Sequence, residues 1–142
     1  LTNSTVRVRG FGEAVEPLNL PGLKDYKVLL VIPRCRLSTK EMYAQLAKER
    51  KRENHTVDFI AKWLSEGADS ALPLARNDFE EIARSESAEI AEILETLRSA
   101  SLPMVTITGS GSGIIALSRE EREVSSLPLR RGVIASWHTF AS

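Results

Sequence analysis

Residues 104–117 read Met-Val-Thr-Ile-Thr-Gly-Ser-Gly-Ser-Gly-Ile-Ile-Ala-Leu. Two runs of β-branched and apolar side chains flank a loop that alternates glycine with serine, so the stretch predicts a strand, a loop at 109–113 and a second strand. Working upstream, Ile90, Ile93, Leu94 and Leu97 recur at helical spacing behind Ser87, a good N-cap. Further back, Tyr-Lys-Val-Leu-Leu-Val-Ile-Pro at 26–33 is a nearly continuous apolar run, the signature of a central strand, and Pro33 stops it. Downstream, Val-Ile-Ala-Ser-Trp-His-Thr-Phe at 133–140 predicts a closing strand. From Tyr26 the order is therefore strand, helices, strand, strand, short or irregular crossover, strand. This is an α+β pattern of the ferredoxin-like, split β-α-β type, with extra helices in the first crossover.

The remaining segments fill in that frame. Ser38 and Thr39 can cap a helix over 39–49, in which Met42, Leu46 and Ala47 share a face. A helix over 56–64 places Val57, Ile60, Ala61 and Leu64 on one face, with Trp63 at its edge and Gly67 ending it. Asn77 or Asp78 can cap a helix through Phe-Glu-Glu-Ile-Ala-Arg at 79–84. Residues 5–9 alternate as a half-buried strand, Gly10 and Gly12 flank Phe11 in a turn, and a short strand ends at Pro17. The charged run at 48–55 reads as a solvated helix end and loop. The polar stretch 118–132, with Pro128, holds at most a short helix.

Composition narrows the function classes. The chain has 142 residues, enough for one domain. Its 19 basic and 19 acidic side chains cancel, which argues against a nucleic-acid-binding module. The single cysteine, Cys35, excludes an internal disulfide and fits a reducing, cytoplasmic compartment. Neither His55 nor His138 has a second ligand three or four residues away, so no zinc motif is present. The strongest apolar run, 28–32, is far too short to span a bilayer, and the opening residues carry no secretory signal pattern.

The segment that can carry chemistry is Thr108-Gly109-Ser110-Gly111-Ser112-Gly113. Glycines leave backbone N–H groups uncovered and the serines add hydroxyl donors, so such a loop can wrap an anion. It matches neither a Walker loop nor the dinucleotide fingerprint, and it leads into a strand, so no helix dipole assists it directly. A flexible hairpin turn and a phosphate-binding loop both stand as readings. Arg7, Arg9 and Glu13 read as a surface charge ladder, and Asn77 and Asp78 as a helix cap. Glu80 and Glu81 are adjacent on a helix and form no dyad.

Taken together, four segments resemble the diphosphocytidyl-methylerythritol kinases of the GHMP superfamily. They are Arg-Gly-Phe-Gly-Glu-Ala-Val-Glu-Pro-Leu at 9–18, the strand and Ser-Thr of 26–43, Asn-Asp-Phe-Glu at 77–80, and Ile-Thr-Gly-Ser-Gly-Ser-Gly-Ile-Ile-Ala-Leu at 107–117. They occur in family order and cover nearly the whole chain. The resemblance implies a GHMP kinase C-terminal domain over 26–142, with 1–25 as the end of an amino-terminal domain or an inter-domain β segment.

It also implies an activity: transfer of the γ-phosphoryl of ATP, with Mg2+, to the 2-hydroxyl of 4-diphosphocytidyl-2-C-methyl-D-erythritol, in the non-mevalonate route to isoprenoids. The main ATP loop and the catalytic Asp and Lys would lie in a missing amino-terminal kinase domain, so this fragment alone would bind no cofactor and be inactive. Residues 108–113 would face the cleft between domains. The family often places an aromatic side chain against the cytosine ring; here Arg7 or a neighbour stands there, and a guanidinium can stack on a base. Neither nucleic acid nor membrane is implied as a partner. The competing readings are another GHMP kinase, acting on mevalonate or homoserine, and a non-catalytic ferredoxin-like module binding a small ligand or partner. If a partner domain is missing, one face should expose an apolar patch.

Overall fold

The computed structural model describes residues 5–9, 12–48, 55–121 and 126–140, with side chains in the second helix described from Phe59 onward. The turn at Gly10 and Phe11, most of the charged run 48–55, the side chain of Val57 and part of the 118–132 connection fall outside them. The strands are β1 (Val6–Arg9), β2 (Ala14–Pro17), β3 (Lys27–Ile32), β4 (Met104–Ile107), β5 (Ile114–Ser118) and β6 (Ile134–Thr139). The helices are α1 (Thr39–Leu46), α2 (His55–Glu66), α3 (Ala68–Ala71), α4 (Glu80–Glu86) and α5 (Ala88–Ser99). All five lie between β3 and β4, in the first crossover. Among the described residues of the second connection there is no α-helix.

β4, β5, β3 and β6 form one sheet in that order, antiparallel throughout. Counted from β3, the spatial order is second, third, first, fourth strand, which is the ferredoxin-like arrangement. Among the described residues, β1 and β2 pair only with each other, in a separate two-stranded sheet.

Period-two alternation sends Leu29, Val31, Val105, Ile107, Ile114 and Ala116 to one face of the main sheet. Met42 and Leu46 of α1, Ile82 of α4 and the α5 stripe pack on it. Ile90, Ile93, Leu94 and Leu97 are the buried residues of α5, and the Ser87 hydroxyl accepts the Ile90 amide at 3.3 Å, as the spacing predicts. Each such side chain, fully buried, contributes about 1.5–3 kcal/mol.

Among the described residues, a second apolar cluster covers one end of the other face. There Tyr26, Val28, Met104 and Leu117 meet Phe59 and Trp63 of α2 and Ala68 and Ala71 of α3. The helical phase of α2 differs from the sequence expectation. Trp63 is 2% exposed whereas Leu64 is 58% exposed. The buried side is the aromatic one: Trp63 stands edge-on to Phe59 at 5.6 Å and donates its indole N–H to the carbonyl of Pro21 at 2.9 Å. A polar clamp closes this end. The Tyr26 hydroxyl donates to Asp69, while Arg119 pairs with Asp69 at 2.9 Å and lies 4.8 Å over the Tyr26 ring.

At the other end of that face, Ile32 and Ile134 are register partners and remain 44% and 64% exposed. Val31 pairs with Ile114, so this uncovered end is also the end that carries the 108–113 loop.

Candidate phosphate-binding loop

The loop is the β4–β5 connection. The Thr108 amide donates to the Gly113 carbonyl at 2.8 Å, and the Gly111 amide to the Thr108 carbonyl at 3.1 Å. These two bonds close the turn. Among the described residues, the amides of Gly109, Ser110, Ser112 and Gly113 donate to no protein acceptor. Gly111 has φ +90°, a left-handed conformation that side chains resist, and a Cβ there would stand 2.8 Å from Leu37 Cδ1. The loop backbone therefore lies directly on the segment that leads into α1.

That segment brings a helix to the loop from another part of the chain. Ser38 caps α1, its Oγ accepting the Glu41 amide at 3.4 Å, and the Thr39 hydroxyl lies 3.1 Å from the Ser110 hydroxyl. The amino end of a helix carries partial positive charge and favours an anion. The loop's own chain does continue into a strand, as expected, but the fold supplies a neighbouring helix end that the local sequence could not announce. Glu89 anchors the approach to α1, its carboxylate accepting the amides of Arg34 at 3.2 Å and Cys35 at 2.9 Å. Partial burial works against the charge of Glu89, but the amides of Cys35 and Arg34 outweigh it and hold the carboxyl below the usual glutamate range. Burial pushes the Cys35 thiol up, and the Ser87 hydroxyl donates to its sulfur at 3.2 Å. Such a thiol is a poor nucleophile.

Asn77 makes a second contact with the loop. Its Nδ2 donates to the carbonyls of Ile107 at 3.0 Å and Gly109 at 2.9 Å, while its Oδ1 accepts the Phe79 amide at 2.9 Å. The N-cap position of α4 is held by Phe79, without a side-chain cap. Asn77 thus starts the turn before α4, and its amide group ties down the loop, a role absent from the expectation of a cap. Glu80 continues the brace: it pairs with Arg98 at 2.5 Å and accepts the Thr106 hydroxyl at 3.2 Å, and Arg98 in turn donates to the Val105 carbonyl at 3.2 Å. Side chains thereby occupy carbonyls along the outer edge of β4, which blunts an otherwise open strand edge. A cleft of about 480 Å³ opens beside this brace, bordered by Arg76, Asp78, Glu81 and Pro103.

Thr108 to Gly113 are together by construction. Arg7 is elsewhere in the fold, half-buried on β1 across from Glu16, and among the described residues it has no hydrogen bond to the loop. Thr39 and Asn77 are the residues that local reading left as caps. What marks them as more is contact across 71 and 32 residues of sequence. The arrangement can hold an oxyanion by unpaired amides, two hydroxyls and a helix end. Among the described residues no acid or base side chain is hydrogen-bonded to it, and no group of three His, Cys, Asp or Glu is placed to cage a metal. No described helix is long and apolar enough to cross a membrane.

Residues 53–128 match the family described as GHMP kinases C terminal. The 4-diphosphocytidyl-2-C-methyl-D-erythritol kinase of Thermotoga maritima is 33% identical over 119 residues, 82% of this chain and 43% of the relative. That of Paracoccus denitrificans is 32% identical over 148 residues, 100% of this chain and 51% of the relative. A solved 4-(cytidine 5'-diphospho)-2C-methyl-D-erythritol kinase superposes with a TM-score of 0.61 at 26% identity, over 80% of this chain and 40% of that one. A homoserine kinase from Cytophaga hutchinsonii shares the fold alone, with a TM-score of 0.54 at 16% identity over 96% of this chain and 47% of its own. The chain spans about half the length of the curated relatives it matches.

Proposed function

The chain belongs to the GHMP kinase family as a carboxy-terminal domain, and on that premise we propose that the protein carrying it phosphorylates the 2-hydroxyl of 4-diphosphocytidyl-2-C-methyl-D-erythritol with ATP. The observation that carries this reading is positional. Unpaired loop amides, the amino end of α1 and the uncovered Ile32–Ile134 strand ends all share one end of the sheet. A second half docked on the apolar strand ends would close a cleft over those amides.

In that cleft the residues of this chain bind and orient. Phosphoryl transfer depends mainly on positioning and on neutralising charge. The amides of Gly109, Ser110, Ser112 and Gly113 would hold phosphate oxygens, with Ser110 and Thr39 as hydroxyl donors. The proton acceptor, the main ATP-holding loop and the groups for Mg2+ belong to the amino-terminal half. Residues 1–25, with their separate hairpin, are assigned as the segment joining the halves, and Arg7 on it as a candidate stack for the cytosine ring. The setting is the cytoplasm.

The test is ADP release by the full-length protein with the cytidyl substrate, mevalonate and homoserine offered separately. Turnover with the cytidyl alcohol alone is the expected result, and the 142-residue chain by itself should show none. A full-length protein that turns over homoserine or mevalonate faster, or turnover from the isolated chain, refutes the assignment.

A further inference from the structure

We infer that Asn77 is a positioning residue that sets the shape of the 108–113 loop; this deepens the preceding reading and rests on it for the loop's role. Three bonds converge on one side chain, and they divide by atom. Oδ1 serves the Phe79 amide and hence the start of α4, while Nδ2 serves two carbonyls, Ile107 at the end of β4 and Gly109 inside the loop. Holding both carbonyls with a single NH2 group turns them to the Asn77 side. A peptide plane ties each carbonyl to the following amide, which points the opposite way. Fixing the Gly109 carbonyl therefore aims the Ser110 amide away from Asn77, and the Ser110 side chain is held separately, its hydroxyl 3.1 Å from that of Thr39. The loop is held at two places, at the Ile107 and Gly109 carbonyls by Asn77 and at the Ser110 hydroxyl by Thr39, and among the described residues the amides of Gly109, Ser110, Ser112 and Gly113 stay unpaired.

Two substitutions separate the brace from helix initiation. Asn77→Ser and Asn77→Asp both keep an oxygen for the Phe79 amide, and neither keeps the NH2 group. Serine leaves the two carbonyls without their donor. Aspartate puts a carboxylate oxygen against them, in a cleft already bordered by Asp78, Glu80 and Glu81 and by the cations Arg76 and Arg98.

The experiment uses the full-length protein and reads two quantities: hydrogen exchange of the peptide spanning 108–113, and kcat and KM with ATP and the cytidyl alcohol. Exchange at Thr108 and Gly111 should quicken about tenfold or more in Asn77→Ser, the effect of losing two hydrogen bonds, and further in Asn77→Asp. kcat should fall about 100-fold, the scale of a small misplacement near reacting atoms, while KM for ATP stays within about twofold of wild type.

Wild-type exchange and kcat in both variants would overturn the inference, leaving Asn77 as a helix starter. Loss of a cooperative melt in both would overturn it as well, by assigning Asn77 to the fold at large. A wild-type protein that transfers no phosphoryl group refutes the kinase reading instead, and the exchange data then decide the brace independently.

Discussion

The aromatic face of α2 offers the sharpest test of the packing. Trp63 is 2% exposed and Leu64, one position on, is 58% exposed. Trp63→Phe removes the indole donor to the Pro21 carbonyl, about 1 kcal/mol net. It also leaves a void of roughly 40 Å³, which at about 24 cal/mol per Å³ adds near 1 kcal/mol. The sum is about 2 kcal/mol. Trp63→Ala empties the site and should cost about 3–5 kcal/mol. Leu64→Ala should stay within about 0.5 kcal/mol. For a domain of this length about 1 kcal/mol moves the melting temperature by roughly 3–5 °C. Far-UV circular dichroism melts should therefore fall by about 6–10 °C for Trp63→Phe and by more than 10 °C for Trp63→Ala, with Leu64→Ala barely displaced. Urea titrations should give the same order at constant slope. A loss from Leu64→Ala equal to that from Trp63→Phe would refute the reasoning, because it would return the buried face to the aliphatic stripe.

Two further perturbations bear on the approach to the loop. Glu89 titrates below the usual range when folded, so its contribution is present above about pH 4.5 and is lost as pH falls through the folded value. Glu89→Gln should melt lower than wild type at pH 7, and the gap should narrow as the pH is taken down through the carboxylate range; a gap independent of pH contradicts the role assigned to its charge. Gly111→Ala forces a side chain into a left-handed residue, at about 1–2 kcal/mol, and must displace Leu37 as well. Gly109→Ala, at φ +58° with nothing within 4 Å, carries only the first of those penalties, so urea midpoints that rank Gly109→Ala below Gly111→Ala contradict the contact.

Legibility in the sequence followed the range of the signal. Helix α5 and its cap were readable because four residues at spacings of three and four and one serine state them within a dozen positions. The four strands of the main sheet were readable for the same reason, since each is an apolar run with its own punctuation. Sheet order also followed, because the ferredoxin-like pattern leaves few ways to pair those strands. The phase of α2 was not readable: Leu64 and Trp63 are both apolar, and only the second core, built by Tyr26 and α3 from elsewhere in the chain, selects the tryptophan. Asn77 carried an ordinary capping signature, and it did start a turn. Its amide partners lie 30 and 32 residues away, so no local pattern could separate a brace from a cap. The loop itself was visible as composition, while the helix end beside it came from tertiary contact alone.

The pairing of β6 with β3 sets a condition on biosynthesis. Lys27 and Thr139 are strand neighbours although more than a hundred positions separate them. A nascent chain leaving the ribosome can assemble its helices and the β4–β5 hairpin early, yet one border of β3 stays open until residues 134–139 have emerged. A message cut short before residue 134 would release a protein whose central strand presents bare backbone donors and acceptors, a template for intermolecular association rather than a weaker version of the native domain.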